Sequence, residues 1–179
     1  MVNIPSMELP WFKAQYESGK RDFARRGFED LHFHGLRLTD VVFAHVHASR
    51  ADFALSSLTD CDFEGADLTE TSFSRASLSR CRFEGATTAG WNLRHVQARD
   101  CDLRGVDMGG VALGEASLEG CDLSDLDLRS VSGLHSSTLR LAKLRRVVME
   151  GQYLAGCDLL MADLTAADLR GADLSFANL

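Results

Sequence analysis

The chain has 179 residues and a formal net charge of −7, and charged residues make up 25% of it. This length suits one domain with a sizeable core, and the acidic balance argues against direct binding to nucleic acid, which usually requires a basic surface. We expect a cytoplasmic protein without membrane contacts, because no apolar run approaches the roughly 20 residues of a spanning helix and no secretory signal is evident.

Residues 1–20 form the first predicted unit, a capping segment that contains a short helix. Pro10 suits a first helical turn and Gly19 suits a stop. Trp11, Phe12 and Tyr16 give this segment an aromatic face. We expect that face to cover the first turn of the array that follows, since repeat arrays need caps.

From residue 21 to residue 179 a large apolar residue returns every five positions, as at Leu58, Phe63 and Leu68. A small residue such as Cys61 or Ala66 lies two positions before it. Neither the helical period of 3.6 nor the strand period of 2 explains this spacing. Five positions equal a two-residue inward step and a three-residue corner. We therefore predict that each unit is a very short strand followed by a turn.

Similar units recur after 20 residues: CDFEG begins at Cys61, CRFEG at Cys81, CDLRG at Cys101 and CDLSD at Cys121. Twenty residues then make one coil with four walls, and coils stack at the strand spacing of about 4.8 Å. We call the large residue of each unit its centre. The centres of wall one are Phe28, Ala48, Leu68, Thr88, Met108 and Leu128; of wall two Phe33, Phe53, Phe73, Leu93 and Leu113; of wall three Leu38, Leu58, Leu78, Ala98 and Leu118; and of wall four Phe43, Phe63, Phe83, Leu103 and Leu123.

The terminal units MADLT, AADLR and GADLS carry a resemblance to the pentapeptide repeat family, whose unit reads A(D/N)LXX. The resemblance covers about residues 21–179. It implies an all-β fold, a right-handed quadrilateral β-helix with four pentapeptides per coil, here with a short N-terminal capping helix. Some members, the Qnr- and MfpA-type quinolone-resistance proteins, are distantly similar and act as dimeric DNA mimics on gyrase.

Two places depart from the period. Leu128 is followed by Leu134, so one extra residue lies near 129–134, either as a tolerated corner insertion or as a bend that contacts a partner. Near Trp91, the small centres Thr88 and Ala98 replace larger residues. The indole either fills the space that they leave or lies exposed as a contact anchor.

The sequence predicts no catalytic residue, no metal site and no cofactor. The predicted structural core comprises Phe33, Phe43, Phe53, Phe63, Phe73, Phe83, Cys61, Cys81, Cys101 and Cys121. Stacked cysteines that point the same way suit neither a tetrahedral metal site nor a disulfide. His32 and His34 should point outward, and no third ligand accompanies them. A rod with a filled interior also offers no water-excluding cleft for catalysis.

Charge is the remaining functional signal. Walls one and four adjoin and together predict an acidic edge, a candidate partner-binding surface formed by Asp62, Glu64, Asp67, Glu70, Glu84, Asp102, Asp107, Asp122, Asp125 and Asp127. This edge is either a solvated consequence of the repeat, in which Asp is a turn residue, or a surface for a basic partner. Lys143, Arg145 and Arg146 interrupt it.

We predict a non-catalytic interaction scaffold that presents a rigid, partly acidic surface to a protein partner. The alternative is a bacterial DNA mimic that binds DNA gyrase or topoisomerase through the enzyme's basic DNA-binding surface and protects it from quinolones. No cap is visible at Leu179, so a second copy of the chain or another subunit is expected to cover the C-terminal end.

Overall fold

The computed structural model describes residues 8–135 and 137–179. It contains one helix, α1 (Leu9–Glu17), and five short strands: β1 (Arg37–Thr39), β2 (Ser57–Thr59), β3 (Ser77–Ser79), β4 (Gln97–Arg99) and β5 (Ser117–Glu119). The strands form one parallel sheet in the order β1-β2-β3-β4-β5, and each pairs in register with the residue 20 positions later. These strands are successive rungs of wall three. The predicted fold class, a right-handed quadrilateral β-helix with a short N-terminal helix, is confirmed.

Each coil is bonded to the next through its backbone. The N–H of Phe63 donates to the carbonyl of Arg82 at 2.7 Å, and the N–H of Asp62 donates back to the carbonyl of Val41 at 2.9 Å. At the corner, the N–H of Ala66 donates to the carbonyl of Phe63 at 3.0 Å, and Gly65 has a φ of 59°. This is a β-turn with a left-handed residue at its third position, which explains the three-residue corner in the period.

The core lies inside the coils. All ten predicted core residues are buried, none being more than 2% exposed. Phenylalanine rings stack along two walls, with centroids 4.5 Å apart for Phe33 and Phe53 and 4.9 Å apart for Phe43 and Phe63. Rings from the two ladders also meet edge to face, as for Phe53 and Phe63 at 5.7 Å. Burial of these rings is the main favourable contribution to the N-terminal coils.

Trp91 belongs to this core. Its side chain is fully buried and packs against Phe73 and Phe83 with centroid separations of 5.5 and 5.2 Å. It lines a cavity of about 10 Å³ together with Ala98. The alternative of an exposed contact anchor is therefore wrong, and the indole occupies volume that the small centres leave.

Helix α1 lies over the open end of the first coil. Phe12 is fully buried, and its ring centroid lies 4.7 Å from that of Phe23 and 5.0 Å from that of Phe33. The Tyr16 hydroxyl accepts a hydrogen bond from the backbone N–H of Thr39 at 3.0 Å, at the exposed side of β1. Residues 1–7 of the predicted capping segment lie outside the described residues, and the boundary at residue 20 stays a prediction.

The pairing offset changes near Gly133. Ala112 pairs with Ser132, 20 positions later, whereas Ser117 pairs with Thr138, 21 positions later. Gly133 has a φ of +82°, and a Cβ added to it would lie 2.6 Å from the backbone nitrogen of Gly114. Glycine therefore absorbs the extra residue, both because it tolerates this φ and because no side chain fits between the two coils.

Candidate protein-binding surface

The ten predicted acidic residues fall into two structural groups. Six are aspartates immediately before a centre, and each accepts a hydrogen bond through Oδ1 from the backbone N–H two residues later, at 2.9–3.1 Å: Asp62, Asp67, Asp102, Asp107, Asp122 and Asp127. This Asx interaction stabilises the turn that follows. The fold itself thus accounts for these six. The other four, Glu64, Glu70, Glu84 and Asp125, have no such role.

Basic side chains neutralise most of the edge on wall four. Arg82 lies 2.9 Å from Glu64 and 3.7 Å from Glu84, and Arg104 lies 2.6 Å from Asp102. Hydrogen bonding to Arg104 lowers the pKa of Asp102 from its ordinary value. These exposed pairs contribute little to stability, but they reduce the charge that a partner would meet.

The basic segment Lys143–Arg146 takes part in the same neutralisation. Lys143 lies 3.4 Å from Asp122, Arg146 pairs with Asp125, and Arg145 pairs with Asp163. Arg146 lowers the pKa of the Asp125 carboxyl by hydrogen bonding. On wall one, Arg129 holds the pKa of Asp127 at about 2. The segment therefore pairs with the acidic wall rather than forming a free basic patch.

Three of the ten acids have no basic nitrogen within 4.0 Å in the part of the chain that the structure describes: Asp67, Glu70 and Asp107. All three belong to wall one. They flank a stretch whose outward residues are very small, which we call the bare face: Gly85, Thr87, Ala89, Gly90, Gly105, Gly109 and Gly110. Asp67 and Asp107 are two coils apart, or about 10 Å at the rung spacing.

The bare face exposes backbone more than side chain. Thr87, Ala89, Gly90 and Gly110 are exposed, and a Cβ added to Gly110 would meet no atom within 4 Å. A partner could therefore approach the backbone at Gly110 closely, whereas at Gly90 it would meet the Glu70 side chain, whose Cγ lies 3.4 Å from the position of an added Cβ. The result is a flat surface with unneutralised carboxylates on both sides.

The histidines of the N-terminal coils lie on the surface. His32 and His34 are exposed, as predicted, and His34 Nδ1 lies 3.5 Å from Asp52. Within residues 8–135 and 137–179, no group of three or more His, Cys, Asp or Glu side chains could hold a metal ion. All five cysteines are buried and unpaired, and burial raises the pKa of Cys157 to about 11. The same residues contain no helix long and apolar enough to cross a membrane.

Sequence reasoning missed a set of exposed apolar residues at the corners. Leu55, Leu141, Met161 and Phe176 are exposed and lie in the left-handed region, with φ between 58° and 61°. Leu141 and Met161 occupy equivalent corners of successive coils. This backbone conformation costs roughly 1–2 kcal/mol for an ordinary L-residue. The sequence could have indicated these residues, because each is a bulky apolar residue at the unit position where many other units carry Gly, Asp or Arg.

Two family models match the chain. The one described as a pentapeptide repeat region matches residues 56–132, and the one described as pentapeptide repeats (8 copies) matches residues 153–179, together more than half of the chain. The chain belongs to the pentapeptide repeat family. No curated protein sequence matches it significantly.

Several solved structures share the family's fold. HetL from the cyanobacterium Nostoc sp. strain PCC 7120, described as involved in heterocyst differentiation regulation, is 20% identical, with 97% of this chain and 95% of HetL covered and a TM-score of 0.33. Trypsin-treated QnrB1, a plasmid-mediated fluoroquinolone resistance protein, is 20% identical, with 89% and 82% covered and a TM-score of 0.45. A thylakoid-lumen protein from Arabidopsis thaliana is 18% identical, with 73% and 66% covered and a TM-score of 0.24. At these identities the likeness is one of fold alone.

Proposed function

We propose that this protein is a non-catalytic binding module, and that wall one around the bare face is the surface that binds a basic region of a partner protein. The observation that carries the proposal is the difference between the two acidic walls. On wall four the predicted carboxylates have arginine or lysine partners, whereas among those on wall one only Asp127 is paired and Asp67, Glu70 and Asp107 have no partner among the described residues.

Unpaired carboxylates attract a basic partner more strongly than paired ones, since no internal cation must be displaced first. The β-helix holds them on a rigid backbone, so little conformational entropy is lost when a partner binds. The small side chains between them let a flat surface approach the backbone. A filled interior without a water-excluding cleft is the reason that we assign no catalytic role.

Two matched triple variants test this proposal. Asp67→Asn/Glu70→Gln/Asp107→Asn removes the unpaired charges while Asn keeps the Asx acceptor. Glu64→Gln/Glu84→Gln/Asp125→Asn removes the same number of charges from paired positions. Proteins captured from host lysate, identified by mass spectrometry, should be retained by the second variant and lost by the first. Equal retention by both variants would place the binding surface elsewhere.

The second candidate is a DNA mimic that binds gyrase or topoisomerase and protects it from quinolones. The unpaired carboxylates about 10 Å apart along a rigid rod favour it, whereas the paired carboxylates of wall four weaken it. A gyrase supercoiling assay with and without a quinolone separates the candidates. A mimic inhibits supercoiling or relieves the drug, and loses this effect in the first triple variant. An interaction scaffold for another partner changes neither reaction.

We also propose that the C-terminal coils bind another subunit, a second copy being the simplest. Within residues 8–135 and 137–179, five of the six exposed large apolar residues lie between Leu141 and Leu179, including Met161 and Phe176. Light scattering coupled to size exclusion should give a dimer mass for the native chain and a monomer mass for Met161→Asp/Phe176→Asp. Leu55→Asp, at an exposed corner in an N-terminal coil, should leave the mass unchanged.

A further inference from the structure

Four buried thiols form a column on the inner side of wall four. Cys61, Cys81, Cys101 and Cys121 occupy the same position in successive coils, and the residues that follow them pair in parallel from Asp62 through Arg82 and Asp102 to Asp122. The four side chains are 0–2% exposed and carry free thiols. The Sγ atom of each of these four cysteines lies 3.4–3.8 Å from the carbonyl oxygen two residues earlier, so the sulfurs occupy equivalent positions in successive coils.

The distance between equivalent residues of successive coils determines which ions this column of thiols can bind. On the same wall, ring centroids of neighbouring coils are 4.9 Å apart for Phe43 and Phe63 and 5.1 Å apart for Phe63 and Phe83. Neighbouring thiols are thus separated by about 4.8 Å, the spacing of paired strands. A disulfide needs sulfurs about 2 Å apart, and a tetrahedral ion needs ligands that converge from several directions. A column in register provides neither.

Two-coordinate linear binding does fit this spacing. Two metal–thiolate bonds of about 2.3 Å placed end to end span about 4.6 Å. Because the sulfurs occupy equivalent positions in successive coils, a sulfur–metal–sulfur line lies along the column with bent angles at each sulfur. We propose that adjacent thiols of this column bind a soft cation that prefers linear coordination by two thiolates.

Among soft cations that prefer linear coordination, charge balance favours a divalent ion such as Hg(II). When Hg(II) binds, two S–H bonds break, two Hg–S bonds form and two protons leave to water, so the bound unit is neutral. A monovalent ion such as Ag(I) between two thiolates leaves one negative charge, which is costly in a dry core. Four thiols form two adjacent pairs, and we therefore expect two Hg(II) ions per chain.

A small cavity lies beside the third thiol, Cys101. Cys101 lines the same 10 Å³ cavity as Ala98 and Trp91. On the outer face, Ala98 also lines a surface groove with Gln97 and Arg99. Free volume therefore lies on both sides of wall three at Ala98, and the inner volume reaches Cys101, which gives an ion a short path to the column.

Cys157 provides an internal control. It is as buried as the others, but its equivalents in the neighbouring coils are Ser137 and Ala177, since Thr138, Asp158 and Asn178 pair in series. It therefore has no adjacent thiol.

Two double variants with equal numbers of thiols test adjacency, both made in a Cys157→Ala background. Cys61→Ala/Cys121→Ala keeps the adjacent Cys81 and Cys101, whereas Cys81→Ala/Cys121→Ala keeps Cys61 and Cys101, two coils apart. Alanine is acceptable because Ala66, Ala76 and Ala86 occupy the same position of other units. Each protein is incubated with mercuric chloride and excess 2-mercaptoethanol, natively and during refolding from urea, and then weighed by native mass spectrometry.

We expect two mercury ions on the parent protein, which carries only Cys157→Ala. We expect one ion on the variant that keeps Cys81 and Cys101, and none on the variant that keeps Cys61 and Cys101. Equal loading of the two double variants, or no loading of the parent after refolding, would overturn the proposal. X-ray absorption on the loaded parent must show two sulfur neighbours per mercury. A single sulfur, or three or more, would also overturn it, whether or not the variants fold.

Discussion

Gly133→Ala tests how the solenoid accommodates its extra residue. In the folded chain Gly133 has a φ of +82°, and an added Cβ would lie 2.6 Å from the nitrogen and 2.7 Å from the Cα of Gly114, both backbone atoms. The left-handed conformation costs about 1–2 kcal/mol for alanine, and the backbone displacement adds roughly 1–3 kcal/mol. The lower chain entropy of unfolded alanine offsets about 0.4–1 kcal/mol. We expect a net loss of about 2–4 kcal/mol.

Gly151→Ala is the matched control, because its φ is +70° and an added Cβ meets no atom within 4 Å. Only the cost of the left-handed conformation and the gain from the lower entropy of the unfolded chain remain. We therefore expect the free energy of unfolding to fall by about 0–1.5 kcal/mol. Urea unfolding followed by circular dichroism measures both variants, provided that the slope of the transition is unchanged. Equal losses at the two glycines would refute the argument that contact with Gly114 makes Gly133 necessary.

Three further predictions follow from the core and from the turns. Phe63→Ala should cost roughly 3–5 kcal/mol in urea unfolding, because the ring is stacked inside the coil, and Glu64→Ala about 0.5 kcal/mol or less; similar losses would contradict the wall assignment. Ala98→Leu should destabilise the native chain by about 1–3 kcal/mol by overpacking against Trp91 but should stabilise a Trp91→Ala chain, and additive effects in this double-mutant cycle would exclude volume compensation. Asp127 and Asp163 have pKa values of about 2 in the folded chain against an ordinary 3.8, so their contribution is complete above about pH 4 and is lost as the pH falls toward 2; a urea midpoint that already drops between about pH 7 and pH 5 would contradict this origin.

The fold could be predicted because the five-residue period of large apolar residues follows directly from the backbone, in which every unit is one short strand and one corner. Most centres are large inward residues, and centres 20 positions apart lie at the same place in successive coils, so the register of Leu58 on Leu78 follows from counting. The one-residue slip was visible in the same way. Its place near Gly133 followed from glycine's tolerance of unusual backbone angles, but the contact with the Gly114 backbone did not, because it depends on how closely two coils approach.

The ion pairs could not be predicted from wall membership alone. Arg82 lies on the acidic wall, but its partners Glu64 and Glu84 are 18 and 2 positions away. Counting charges on each wall therefore overestimated the acidic edge. Side-chain direction decides which charges meet, and the repeat fixes only the backbone.

The position of a residue within the pentapeptide determines how much it says about function. An aspartate just before a centre stabilises the next turn through its Asx hydrogen bond, so its charge is explained whether or not a partner exists. The two positions after the centre carry no such requirement. Glu70 has no basic partner within 4.0 Å among the residues that the structure describes. Met161 exposes an apolar side chain, although its left-handed backbone conformation disfavours a bulky residue. Since the fold does not require these side chains, they are stronger indicators of binding than the far more numerous aspartates. A partner of this chain should therefore be more sensitive to Glu70→Gln than to Asp62→Asn.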